Sequence, residues 1–166
     1  MPNLNVEFAY QEFSESCWAA CGRLVMNAYQ GQEIFPTDTA FASALGLQPD
    51  VIQDMRVVLT GSNMFNGIDD TDNIPPFETI QAQIDQGRPL IICISADEIP
   101  PGSDCMGGHY VIVYGYDSDD ESITVIDPAE VDENTGPQVL AYDSEIYASP
   151  YGDLYWGVPY YTRAPI

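Results

Sequence analysis

Apolar side chains in the first half of the chain recur every three or four residues, a spacing typical of helices with one buried face. Three segments show this pattern: Cys17 to Tyr29, Thr37 to Leu45 and Phe77 to Gln86. Ser14 or Ser16 can cap the first helix and Gly31 can end it, while Thr37 or Asp38 can cap the second. The first helix is therefore predicted to begin at or near Cys17.

Extended patterns replace the helical ones from residue 89 onward. The run Pro89 to Ile94 is continuously apolar, which is typical of a strand buried on both faces. His109 to Tyr116 and Ser122 to Ile126 predict an antiparallel hairpin, because the acidic segment between them has the composition of a turn. Two more strands are predicted near the end of the chain, at Val139 to Tyr142 and Leu154 to Tyr161.

The remaining segments are polar or ambiguous. Gly61 to Asn73 and Asp97 to Met106 are predicted loops, and Asp50 to Leu59 fits a helix or a strand equally well. Helices come first and antiparallel strands follow, which indicates an α+β fold. We find no internal repeat or linker, so we expect one domain over residues 1–166, a length sufficient for its own core.

The net charge narrows the range of partners. The chain carries 26 acidic residues, four arginines and no lysine, for a formal charge of −22. Such a field repels phosphate backbones and anionic lipid headgroups, so we expect neither nucleic acid nor membrane surfaces as partners. It attracts a basic peptide or protein, although adaptation to high salt or a compositional bias of the source explains the acidity equally well. The oligomeric state is not determined by the sequence.

Hydropathy and cysteine content bear on location. No apolar run approaches the roughly 20 residues that span a bilayer, so we expect a soluble protein without membrane insertion. Met1 to Tyr10 lacks the basic and apolar parts of a secretory signal, which leaves the cytoplasm, a specialised export route or a removed leader open.

With Cys17 reserved for chemistry, three cysteines remain, an odd set, and we expect mostly free thiols.

Four residues carry the candidate chemistry. A thiol hydrolase needs a nucleophile, a general acid and base, a group that orients it, and a donor for the oxyanion. Cys17, the only histidine His109, Asp127 and Gln11 can fill these roles in that order. The start of a helix favours a thiolate at Cys17, and the hairpin can bring His109 and Asp127 together as cross-strand neighbours.

Each of these residues also has a structural explanation when taken alone. A cysteine at a helix start is often a small buried hydrophobe, and an Asp-Pro pair often opens a turn. Their joint order and placement favour catalysis. No metal or cofactor is predicted, because the cysteines lack paired zinc-ligand spacing and the acidic runs Asp69 to Asp72 and Asp117 to Glu121 lack the EF-hand pattern.

The motifs resemble a known family. The segment QEFSESCWAA, residues 11–20, resembles the active-site segment of papain-like cysteine peptidases, in which a glutamine six residues before the cysteine supplies the oxyanion hole. GGHYVIVYGYD and ITVIDPA, residues 107–117 and 123–129, resemble its compact bacterial branches, which include bacteriocin leader peptidases and plant-pathogen effector proteases. The resemblance implies a papain-like fold and a Cys-His-Asp triad, with a helix that starts at the cysteine packed on the sheet that carries the histidine and the aspartate.

The residues around the triad form the predicted substrate cleft: Trp18, Asp104, Met106, Gly107 and Gly108. The loop before His109 is expected to form one wall, and its acidic residues favour a cationic substrate group. The main prediction is peptide-bond hydrolysis. The same triad also fits deamidation or acyl transfer, and the fold without activity fits an acidic binding module.

Overall fold

The computed structural model describes residues 2–68, 75–97, 100, 105, 108–129, 136–142, 146–149 and 152–166. Within these residues the helices are α1 Cys17–Gln30, α2 Asp38–Ala44, α3 Met55–Gly61 and α4 Phe77–Asp85. The strands are β1 Phe65–Ile68, β2 Leu90–Ser95, β3 His109–Asp117, β4 Ser122–Asp127, β5 Gly136–Ala141, β6 Ile146–Ser149 and β7 Gly152–Thr162. None of the helices in this part of the chain combines the length and the hydrophobicity needed to traverse a bilayer.

The strands form one antiparallel sheet. Its order is β1-β7-β2-β3-β4-β5, and β6 pairs with β7 outside this path. The helices come before most of the strands, so the fold is α+β, as predicted, and is consistent with a papain-like arrangement.

The central strand β2 contributes to two hydrophobic cores. Ile91 and Cys93 pack in the core that contains most of α1, while Leu90, Ile92 and Ile94 pack in the core that contains α4. Successive side chains of a strand point to opposite faces, so helices cover both faces of β2. The continuous apolar run from Pro89 to Ile94 therefore corresponds to a strand that is buried on both faces, as predicted.

Most predicted elements are confirmed. The helices near Cys17, Thr37 and Phe77 are present, and the ambiguous segment resolves into an irregular stretch followed by α3, whose Asp54 cap accepts a hydrogen bond from Arg56 N. The hairpin strands and β2 also form where expected.

Two strands were not predicted. Phe65–Ile68 lies inside a segment interpreted as a loop, yet it pairs with β7 as strand β1. Ile146–Ser149 pairs with β7 as β6. Both are only four residues long, so their local pattern is too short to indicate them. β1 pairs with a strand far along the chain, whereas β6 pairs with the strand that follows it.

The expectation of mostly free thiols was wrong. Cys93 and Cys105 form a disulfide with a Cα–Cα distance of 6.1 Å, while Cys17 and Cys21 are free. Cys93 lies on β2 opposite Tyr110 of β3, and Cys105 lies shortly before β3, so strand pairing brings the two cysteines together. A cysteine count cannot show this, because the proximity depends on the sheet.

Candidate active site

The cysteine lies at the start of a buried helix. Helix α1 begins at Cys17, and its first turn is buried because Trp18, Ala19 and Ala20 pack in the core. The Cys17 side chain is 8% exposed and lines an open pocket. Among the described residues, the pocket is also lined by Ser14, Glu15, Ile94, Ser95, Ala96, Gly108 and His109.

The hairpin brings the histidine to the aspartate. The register pairs Ile112 of β3 with Ile126 of β4, which makes His109 and Asp127 diagonal neighbours on one face of the two strands. His109 Nε2 lies 2.6 Å from Asp127 Oδ1. The Asp127 side chain is completely buried and the His109 side chain is 24% exposed, so the imidazole reaches the pocket while its partner does not.

A further contact restrains the aspartate. Asp127 Oδ1 accepts a hydrogen bond from Ala129 N at 3.0 Å, within the Asp-Pro-Ala segment that follows β4. The carboxylate is thereby held by its own backbone as well as by the imidazole. These two hydrogen bonds fix the orientation of the Asp127 carboxylate toward His109 at the end of β4.

The histidine is positively charged near neutral pH. Burial by itself lowers the pKa of His109, but hydrogen bonds to Asp127 and Cys17, and the negative charges of those two groups, raise it to about 10. Asp127 and Cys17 therefore both contribute to the raised pKa of His109. A histidine with this pKa keeps its proton near neutral pH and can donate it to a leaving group.

The second free cysteine has a different environment. Cys21 is one turn beyond Cys17, is completely buried, and its thiol donates to the Tyr110 carbonyl at 3.4 Å. Burial raises the pKa of the Cys21 thiol well above its usual value, and the negative charge of Cys17 adds to this rise. Cys21 is therefore a protonated core residue, whereas Cys17 faces the pocket.

Gln11 lies on the segment that leads into α1. Its backbone N–H donates to the Pro128 carbonyl at 2.8 Å, which places this segment beside the end of β4. Its side-chain nitrogen donates to the carbonyls of Phe13 at 2.7 Å and Ser14 at 3.1 Å. Both amide hydrogens therefore have partners in the turn before Cys17.

The predicted cleft residues have different positions. Gly108 lines the pocket, and a side chain there would approach both disulfide sulfurs to within 2.7 Å, so only glycine fits beside His109. Trp18 is 1% exposed and donates from its indole nitrogen to the Val51 carbonyl at 2.8 Å, which places it in the core beneath the site. Asp104, Met106 and Gly107 lie outside the described residues.

A comparison with protein families supports a cysteine peptidase at the level of the family. A family model described as the Peptidase C39-like family matches residues 3–154. The chain belongs to this family. The matched range contains Gln11, Cys17, His109 and Asp127, and the family is one of cysteine peptidases of the papain-like bacterial type. No curated protein matches the chain.

A buried polar network in this C39-like chain was not predicted. Arg23 and Asp38 are 3% and 0% exposed, and Arg23 Nε lies 2.5 Å from Asp38 Oδ1. The sequence indicates Asp38 only as a possible helix cap. The one sequence signal was Arg23, a charged residue inside the apolar pattern of α1, since a buried arginine needs a partner. Within the described residues, no three His, Cys, Asp or Glu side chains are placed to share a metal ion.

Proposed function

We propose that this C39-like chain hydrolyses peptide bonds through a thioester on Cys17, with His109 as general acid and base and Asp127 as its orienting group. One observation carries the proposal. A free cysteine at a helix start and a partly exposed histidine line the same pocket, and a buried aspartate is hydrogen-bonded to that histidine. This is the arrangement that activates a thiol nucleophile.

The first step forms a tetrahedral intermediate. The Cys17 thiolate attacks the carbonyl carbon of the substrate, the C=O π electrons move to oxygen, and the oxyanion requires donors. Helix α1 makes its first backbone bond from Ala20 N to Ser16 O, and its N-cap side chain makes no capping bond. The N–H of Cys17 therefore has no acceptor within the helix and is available to the oxyanion.

The next steps complete one turnover. Imidazolium His109 donates its proton to the leaving amine as the C–N bond breaks, which leaves an acyl thioester on Cys17. Neutral His109 then takes a proton from water, whose oxygen attacks the thioester carbonyl. The carboxylic acid leaves and the thiolate is restored. Asp127 stabilises the imidazolium form of His109 each time it is present.

The charge around the pocket supports a cationic substrate. Glu15 lines the pocket and Asp97 is exposed two residues beyond the end of β2. The net charge of −22 adds a long-range field of the same sign. We therefore infer that substrates carry Arg or Lys near the cleaved bond.

Mass spectrometry of a defined peptide library tests the function. Wild-type protein is expected to produce new peptide termini, most often near Arg or Lys, and Cys17→Ala protein to produce none. A 1 Da mass increase at Gln or Asn without chain cleavage would indicate a deamidase, and joined peptides would indicate acyl transfer. Complete absence of modification would favour a binding module and contradict the proposal.

Gln11→Ala is expected to lower kcat by about 10²- to 10³-fold if the Gln11 amide turns from the Ser14 carbonyl to the oxyanion. Steady-state kinetics on the cleaved peptide measure this effect, and KM is expected to change little because the oxyanion exists only after attack. Gln86→Ala is a matched control, since Gln86 also donates its side-chain amide to a backbone carbonyl, on the surface of α4. A Gln11→Ala enzyme within threefold of wild type would remove Gln11 from the mechanism.

A further inference from the structure

Asp38 is the centre of a buried network beside the candidate active site. It is the first residue of α2 and has no exposed surface. Its Oδ1 accepts from Arg23 Nε at 2.5 Å, and its Oδ2 accepts from Ser16 Oγ at 2.7 Å and from Glu12 N at 2.7 Å. One carboxylate therefore contacts α1 and two points of the segment that joins Gln11 to Cys17.

Two residues next to Asp38, Arg23 and Thr39, also bind the segment that precedes Cys17. Arg23 Nη2 donates to the Tyr10 carbonyl at 3.3 Å, and Thr39 N donates to Glu12 Oε2 at 2.8 Å. Residues 10–16 are thus tied both to α1 and to the start of α2. Gln11 lies in this segment and Cys17 directly follows it. The network therefore sets the position of the Gln11 side chain relative to the Cys17 N–H, the two predicted oxyanion donors.

Ser16 shows what the network does at the helix start. A serine at an N-cap normally has extended backbone and accepts a hydrogen bond from the helix. Here Ser16 has φ −95° and ψ 13°, makes no capping bond, and donates its hydroxyl to Asp38. The exposed N–H groups at the start of α1 consequently keep no side-chain acceptor from their own cap.

We propose that Asp38 is a positioning residue for the oxyanion side of the site, acting through Ser16 and Arg23 without contacting substrate. This inference depends on the proposed function. A buried ion pair can often be replaced by apolar residues without loss of stability, so stability alone does not account for this one. The geometry of the pair indicates a positioning role. One donor from α1 and two from the segment that precedes Cys17 bind the single carboxylate of Asp38.

Two reactions of Cys17 separate positioning from reactivity. Alkylation by iodoacetamide displaces iodide at a saturated carbon and forms no oxyanion. Hydrolysis of p-nitrophenyl acetate passes through a tetrahedral oxyanion and a thioester. Loss of positioning is therefore expected to slow the second reaction while leaving the first unchanged.

The double variant R23M/D38L replaces the pair with apolar side chains. Ser16→Ala removes the hydroxyl that donates to Asp38 and accepts from Phe13 N, while retaining the pair. We expect both variants to alkylate Cys17 within about twofold of wild type. We expect kcat for p-nitrophenyl acetate to fall by about 10- to 100-fold in the double variant and about tenfold in Ser16→Ala. Ser62→Ala is the control, because Ser62 is also buried and donates to backbone carbonyls, in α3.

The outcomes are distinct. The inference is overturned if both reactions slow together in Ser16→Ala, or if ester hydrolysis is unchanged in it. Should the double variant not fold, Ser16→Ala decides alone, with its thermal unfolding midpoint as the check on structure. If Cys17→Ala hydrolyses the ester as fast as wild type, the proposed function itself fails, and the Asp38 inference fails with it.

Discussion

Replacing Cys17 with alanine is expected to abolish peptide hydrolysis, lowering kcat by about 10⁴- to 10⁶-fold. The reason is chemical, because alanine offers no thiol and no thioester can form. The effect is measured as the initial rate on a peptide that wild-type protein cleaves, and the acyl-enzyme is sought by mass spectrometry of the intact protein. Thermal unfolding is expected to change little, since the side chain lies at a pocket edge and is small.

Cys21→Ala is the matched control for this experiment. Cys21 is on the same helix one turn later, is also a free thiol, and is completely buried. We expect Cys21→Ala to keep its rate within about threefold of wild type and to lose only a little stability. Equal losses of activity in the two variants, or an active Cys17→Ala protein, would falsify the assignment of Cys17 as nucleophile.

Asp127→Asn is expected to lower kcat by about 10⁴-fold, the size of effect known for the equivalent change in a serine protease triad. Asp127 Oδ1 is 2.6 Å from His109 Nε2, so the carboxylate favours a proton on that nitrogen. In the proposed mechanism Nδ1 is then the nitrogen that serves Cys17. An asparagine can present its NH₂ group to the ring and stabilise the opposite tautomer. The measurement is kcat on the same peptide as for Cys17→Ala.

The same variant is expected to move the pH profile. Asp127 helps to hold the pKa of His109 at about 10, so its loss lowers this pKa and shifts the alkaline limb of the rate to lower pH. The pKa of His109 is higher in the folded than in the unfolded protein, where it is about 6.5. Its stabilising contribution is therefore complete below pH 6.5 and is lost as pH rises toward 10.

Urea unfolding at several pH values from 6 to 10 tests this linkage. Wild-type protein is expected to lose stability across the interval through His109, and Asp127→Asn protein to lose less. Asp85→Asn is the control, because Asp85 accepts a hydrogen bond from Tyr116 Oη and lies on α4, away from the site. An alkaline limb that does not move in Asp127→Asn would rule out Asp127 as the group that sets the protonation of His109.

Much of the candidate site was predictable because its parts depend on local patterns. The apolar spacing after Cys17 places the cysteine at a helix start. The turn at 117–121 sets a hairpin whose strands begin at His109 and end at Asp127, so two residues 18 positions apart become neighbours. Short-range periodicity and a turn are sufficient for these features.

Most of the missed features depend on contacts between segments that are separated in the sequence. The strand at Phe65–Ile68 exists because it pairs with β7, and the disulfide forms because β2 pairs with β3. The pair of Arg23 and Asp38 requires α1 and α2 to pack together. In each case the local sequence does not identify the partner, and only the folded chain brings the two partners within bonding distance.

The sequence by itself determined the class of chemistry in this C39-like chain. It contains one histidine, a cysteine at the start of an apolar helix pattern, and a hairpin that ends in an aspartate. The tertiary structure decided which thiol faces the pocket, which cysteines are bonded, and which buried carboxylate holds the Gln11 to Cys17 segment. The physical reason is that residue types, periodicity and turns are local properties of the sequence, whereas exposure and hydrogen bonding depend on what packs around each side chain.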